Sequence, residues 1–238
     1  MAERPILFSA PMVRAILDGR KTQTRRVVKP QPPAVEAVRA QAGIDFGVFT
    51  DRHARSPAHF RVSGPVWAVR NLMGMGERES PEWICPYGAP GDRLWVREAW
   101  RPVMETWRSY VEYGAGGEGA VPGREALEKM KRVALRFPGA RKDVHSEAWH
   151  PSIHMPRWAS RITLTVEAVR VERLQDISEE DARAEGVDPV TYHFGGPPVV
   201  SYRDGFEIAW RSINGADSWQ ANPWVWVINF SRVEVTRG

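Results

Sequence analysis

The sequence predicts an α+β fold: a small β-barrel, open or closed, with short flanking helices and two insertions. Three observations predict it. Several strand-like segments are separated by short helical ones rather than long crossover helices. One strand, Arg161 to Val171, changes phase partway. Ile162, Leu164, Val166 and Ala168 take one face, and Val169 and Val171 the other, which implies a bulge or bend near Ala168. The last apolar run, Pro223 to Phe230, is hydrophobic on both faces, as an interior strand is.

The chain of 238 residues suffices for one large domain or two small ones. No run approaches the ~20 apolar residues of a membrane span, and Met1 to Pro5 lacks the layout of a signal peptide. The single cysteine, Cys85, excludes an internal disulfide and a multi-cysteine zinc site. These features predict a cytoplasmic protein with no membrane partner. The formal charge is +4, but residues 1–42 carry eight Lys/Arg against three Asp/Glu. A localised basic patch suits a polyanion. Eleven tryptophans add surfaces on which bases stack. Both point to a nucleotide or nucleic-acid ligand.

Residues 5–8 read as extended. Ser9 is a candidate cap for a short helix with Pro11 in its first turn, and Met12, Val13, Ile16 and Leu17 form its apolar stripe. Gly19 fits the left-handed position that ends it. Next comes Gly19-Arg20-Lys21-Thr22-Gln23-Thr24-Arg25-Arg26, opening a strand. Five cations fall between Arg20 and Lys29 with no acid among them. Alternation sends Thr22, Thr24 and Arg26 to one face, and Lys21, Gln23 and Arg25 to the other. If Lys21 lies in the turn, it can still meet Thr24. A lysine beside a threonine hydroxyl is a possible base–nucleophile pair. The plainer alternative is an edge strand whose cations discourage aggregation.

Residues 30–90 read as an elaboration, with a helix over 34–42 and short strands at Phe60–Val62 and Val66–Val69. Pro86 to Asp92 is a turn cluster. Arg93 to Trp100 reads as a strand limited by Pro102. Residues 101–150 form a polar insertion containing a helix from Arg124 to Arg136 and a mobile loop at Gly114–Gly119. His145, His150 and His154, with Asp143 and Glu147 nearby, raise a metal site, but Pro151 interrupts the helical display that ligation would need. No metal and no cofactor is expected. Ser178 caps a short helix ending at Gly186. Glu185 lies in its last turn, where a negative charge opposes the helix dipole, so a cationic partner is expected there. Asp204 to Asn214 forms another helix, with Phe206, Ala209, Trp210 and Ile213 on one stripe.

Gly19, Lys21, Thr24 and Arg26 resemble the GxKxx[ET]xR signature of ASCH domains, small barrels of the PUA-like type related to RNA-binding and modified-base-binding folds. Gly91-Asp92 before a strand, the helix at Ser178–Glu185 and the aromatic terminal strand are similar too. The resemblance covers about 1–30, 88–100 and 155–235 of a single domain spanning 1–238, and leaves 31–87 and 101–150 as insertions. The stretch His154 to Arg161 resembles that of phage or prophage long forms. Thr24, where most ASCH domains have glutamate, is similar to the branch that hydrolyses N4-acetylcytidine. That resemblance implies an amidohydrolase in which Lys21, Thr24 and a glutamate act. Aligning the short helix places the glutamate at Glu185, with Glu179 or Glu180 as fallback.

Such hydrolysis needs a nucleophile, a base, an oxyanion stabiliser and a proton for the leaving amine. Thr24 would attack and neutral Lys21 would take its proton. A lysine base poised near pH 7 needs a fall of about three units, roughly 4 kcal/mol. Burial and the cations of Arg20, Arg25 and Arg26 push that way, and Glu185 opposes them, so Glu185 would orient Lys21 or shuttle the proton. Arg26 or backbone N–H groups would hold the oxyanion. Trp95, Trp100, Trp158 and Trp226 are candidates for an aromatic wall, with Arg97, Glu98, Arg157 and Arg161 at its mouth. The alternative readings are a non-catalytic RNA or modified-DNA binding module and, behind it, a nuclease using the basic face.

Overall fold

A computed structural model describes residues 1–29, 31, 45–49, 59–63, 82–104, 109–121, 123–134, 149–194 and 196–233. The elements run β1 (Glu3–Leu7), α1 (Ala10–Leu17), β2 (Gln23–Val27), β3 (Asp45–Phe49), β4 (His59–Ser63), β5 (Glu82–Ile84), β6 (Arg93–Arg97), β7 (Trp100–Met104), β8 (Ser109–Tyr113) and β9 (Glu118–Ala120). They continue with α2 (Gly123–Ala134), β10 (Thr163–Arg173), α3 (Glu179–Ala184), β11 (Val190–Tyr192), β12 (Val199–Ser201), α4 (Tyr202–Asn214) and β13 (Trp224–Arg232). The fold is mixed α+β with several sheets. Among the described residues no helix is long and apolar enough to cross a membrane.

The chain divides into two compact units. The first holds residues 1–2, 19–92 and 165–231. In it β13 lies between β10 and β2. β2 runs antiparallel to β13 with Arg25 opposite Val227, Arg26 opposite Trp226 and Thr24 opposite Ile228. Directly opposed residues share a face. Val225 and Val227 pack with Leu174, Ile177, Ala182, Phe206, Trp210 and Trp219 under α3 and α4. Trp226, Ile228 and Phe230 fill the other face and are buried as well. The terminal strand is therefore apolar on both sides because both sides are covered. Gln31 pins the far end of this pair: its amide donates to the Val28 and Trp224 carbonyls and its oxygen accepts from the Trp224 N–H. β3, β4 and β5 form a separate antiparallel sheet, in which β4 covers the expected strand at Phe60–Val62. The expected helix at 34–42 and strand at 66–69 lie outside the described residues.

The helices of this unit begin as their sequences dictate. The Ser178 hydroxyl accepts the Asp181 N–H at α3, and the Ser201 hydroxyl accepts the Asp204 N–H at α4. α4 starts two residues earlier than expected. Its stripe includes buried Phe206 and Trp210, but Ile213 is 57% exposed. Ile213 sits in the last turn before Gly215, beyond the reach of the core. Gly205 is required on the buried side, where a Cβ would collide with the Asp188 carbonyl.

The second unit holds residues 3–18, 93–164 and 232–238. β1 pairs parallel with β6, and α1 buries Val13, Ala15 and Ile16. Ser9 occupies the cap position of α1 without a side-chain bond. The strand expected over Arg93–Trp100 stops at Arg97, and a new strand, β7, runs through Pro102. Proline is tolerated because β7 is the outer strand of the β7–β8–β9 sheet, and the bridge on its other side, to His150, is made at Trp100 and not at Pro102. The expected loop at Gly114–Gly119 is instead the tight β8–β9 turn, with Gly116 and Gly117 at φ of +93° and +87°. Trp100, Val111, Tyr113, Met155 and Ala159 form the core beside this sheet.

β10 enters both units. Leu164 and Val166 are buried, Glu167 and Ala168 are both exposed, and Val169 is buried again. The burial phase thus slips at the position where the hydrophobic pattern slips.

Candidate functional site

Lys21 lies just ahead of β2, after the turn at Gly19, whose φ is +74°. The chain is fixed there by the Thr22 N–H donating to the Ala184 carbonyl and the Phe230 N–H donating to the Thr22 carbonyl. This places Lys21 against the C-terminus of α3. Its Nζ donates to Glu185 Oε2 at 2.7 Å and to the Glu185 carbonyl at 2.7 Å. The side chains of Lys21 and Glu185 are 0% and 3% exposed. The cation that Glu185 needed at a helix C-terminus is therefore Lys21, which also caps the helix through its last carbonyl.

Around this pair lies a network that no single stretch of sequence announces. Arg25 reaches Glu185 Oε1 at 3.4 Å, Gln23 Oε1 at 2.5 Å and Asp181 Oδ2 at 2.9 Å, and it also bonds Glu172. Arg170 donates to the same Asp181 oxygen at 2.6 Å and to Glu172 at 3.1 Å. Gln23 and Arg170 both donate to Asn229 Oδ1. The one readable signal was spacing: Asp181 and Glu185 are four apart, so both carboxylates share a helix face.

Burial pushes the Lys21 amine below the ordinary lysine range. Glu185 opposes this through its charge and its hydrogen bond, and the positive charges of Arg26 and Arg25 add to the fall. Arg20, expected to help, instead bonds the Gly186 carbonyl and lies 3.7 Å from Asp188. Burial alone would raise the Asp181 carboxyl. The Gln23 hydrogen bond, the Arg170 charge and the bond and charge of Arg25 outweigh it and hold the group low.

Thr24 is 2% exposed and lies on the opposite face of β2 from Gln23 and Arg25. It shares that face with Arg26 and with buried Trp226. Tyr87, from the turn cluster, lies in the field of Arg26. Burial raises its hydroxyl and Arg26 partly offsets that. Tyr87 is an aromatic that sequence reasoning passed over. Of the expected site residues, Lys21, Thr24, Arg26, Glu185 and Trp226 thus belong to the first unit. The fallback glutamates are placed otherwise. Glu179 accepts from the Ser201 hydroxyl and the Tyr202 N–H at the start of α4, and Glu180 is exposed.

Trp95, Arg97, Glu98, Trp158 and Arg161 belong to the second unit. Arg161 donates to both oxygens of Glu98, at 2.9 and 3.1 Å, and lies 4.0 Å from the centre of the Tyr113 ring. The Arg97 guanidinium lies 4.6 Å over the Trp95 ring. Trp158 meets Trp100 edge-on, and Trp100 stacks on His150 at 4.9 Å. Arg157 pairs with Glu3 at 3.0 Å. His150 is buried and His154 exposed, while His145, Asp143 and Glu147 lie outside the described residues. Among the described residues no group of three or more His, Cys, Asp or Glu is placed to hold a metal ion.

β2 is the outer strand beside β13, and Arg20 and Lys29 of the basic stretch are exposed. The Lys21 and Arg25 side chains are fully buried against acids, so they neither guard an edge nor meet phosphates. What the arrangement can do is hold a desolvated amine, its proton affinity lowered, against one carboxylate and in the field of two guanidinium groups. Comparison with protein-family models, curated proteins and solved structures gives no significant match for this chain.

Proposed function

We propose that the protein is an amidohydrolase that removes an acyl group from the N4 amine of cytidine or a related modified nucleoside. The reading includes a single PUA-like, ASCH-type barrel formed by the strands that carry the signature. The observation that carries the reading is the buried Lys21 amine, gripped by Glu185 at 2.7 Å and pushed below its usual range. The resemblance of Gly19, Lys21, Thr24 and Arg26 to the ASCH signature supports the same residues.

In this mechanism neutral Lys21 accepts the Thr24 proton as Oγ1 bonds to the acyl carbon. Arg26, on the face of Thr24, stabilises the oxyanion. Collapse breaks the C–N bond, and the Lys21 ammonium returns its proton to the departing N4. Water, deprotonated by Lys21, then attacks the Thr24 ester; the Lys21 ammonium returns that proton to the departing Thr24 Oγ1, and the carboxylic acid is released. Trp226 shares this face and contributes to the aromatic wall. Thr24 is so deeply covered that substrate entry requires its face to open.

The test is incubation with N4-acetylcytidine, followed by the ultraviolet change on conversion to cytidine. Turnover that disappears in both Lys21→Met and Thr24→Ala supports the assignment. Turnover surviving either substitution removes the site. No turnover with salt-sensitive RNA or DNA binding would favour the binding-module alternative. That alternative is weakened by the burial of Lys21 and Arg25.

A further inference from the structure

Glu185 is shared. One carboxylate oxygen faces the Lys21 amine at 2.7 Å, and the other faces Arg25 at 3.4 Å. Arg25 is itself held by carboxylates on two elements, Asp181 of α3 and Glu172 of β10, and by Gln23 beside it. Its side chain is fully buried, whereas those of Glu172 and Asp181 are 19% and 25% exposed. Arg170 grips both of these acids from the outer side. The groups facing Lys21 are therefore Glu185 from the C-cap of α3 and Arg25 and Arg26 from β2. The Arg25 cation is in turn partly neutralised by Asp181 and Glu172.

We propose that Arg25 is a positioning residue that sets the reactivity of Lys21, by holding the second oxygen of Glu185 and fixing how much negative charge the amine meets. The proposal rests on the hydrolase reading for its consequence, but the charge relation is measurable without substrate. Two substitutions act in opposite directions. Arg25→Gln removes a cation and leaves all of Glu185 to Lys21, so the ammonium is favoured and Lys21 titrates at higher pH. Asp181→Asn removes an anion and lets Arg25 lean further on Glu185, so Lys21 titrates at lower pH. A residue that merely supported the fold would not give shifts of opposite sign.

The experiment is a pH titration by NMR of protein carrying 13C at the lysine ε-carbon, with the Lys21 signal assigned by its loss in Lys21→Met. The chain has five lysines, so the spectrum is simple. The expected result is an upward shift in Arg25→Gln and a downward shift in Asp181→Asn. The acidic limb of the N4-acetylcytidine pH–rate profile should move with each. In Arg25→Gln the rate at pH 7 should fall about tenfold and recover at higher pH. Shifts of the same sign, or none, overturn the proposal. Should Arg25→Gln fail to fold, the sign in Asp181→Asn, whose carboxylate is partly exposed, decides alone. Opposite shifts in a protein that hydrolyses nothing would keep Arg25's hold on Lys21 and remove the hydrolase reading.

Discussion

Glu98 and Glu185 are both buried glutamates that hold a cation, one in each unit, yet their partners differ in kind. Glu98 meets the fork of Arg161 through both oxygens, and the guanidinium rests on the Tyr113 ring. A guanidinium does not surrender its proton, so this pair is a fixed strap. Glu185 meets an amine, and an amine taken out of water can become neutral. Arg25 and Arg26 then tilt it further that way. Equal burial thus yields a tie in one place and a candidate base in the other, and partner chemistry makes the difference.

The sharpest way to break this contrast is Lys21→Met. On the proposed hydrolase reading, turnover of N4-acetylcytidine should fall by about a thousandfold or more, the scale of losing a general base. Arg161→Met should act on stability. It strands the Glu98 carboxylate, which also accepts from the Ala115 N–H at 3.3 Å. Urea unfolding should show a loss of about 3 kcal/mol. Lys21→Met should lose somewhat less, roughly 2 kcal/mol, because Arg25 remains near Glu185.

The two regions should also respond oppositely to alkali. The folded-state pKa of Lys21 lies below that of the unfolded chain. Between those two values the unfolded chain binds more protons, so stability contributed by Lys21 rises with pH until the ordinary lysine range. Tyr113 behaves in reverse. Burial pushes its hydroxyl up to about 12, with Glu98 adding and Arg161 opposing. Its contribution is present below the ordinary tyrosine pKa and is lost as pH rises from about 10 through the folded value. Unfolding free energies at stepped pH should lose the first trend in Lys21→Met and the second in Tyr113→Phe. The smallest effect is expected from Ser178→Ala. Losing this cap should cost about 1 kcal/mol, read as a lowered Tm.

Much of the first unit was legible because it depends on local pattern. Alternation placed Gln23 and Arg25 on one face and Thr24 and Arg26 on the other. The awkward position of Glu185 announced a cation. The phase of Ile162 to Val171 announced the slip in β10. Partners distant in sequence were not legible. Glu98 and Arg161 are 63 residues apart, and Arg25 and Glu172 are 147 apart. No periodicity connects such residues. β7 was obscured by Pro102, which reads as a strand breaker unless the strand is known to lie at a sheet edge.

Lys21 meets Glu185 twice, once at the carboxylate and once at the backbone oxygen. An ammonium has three N–H bonds in a tetrahedral array, and two of these directions are occupied by a single residue. Both bonds run to atoms of one residue, so the end of α3 sets the direction of the amine as well as its distance from the carboxylate.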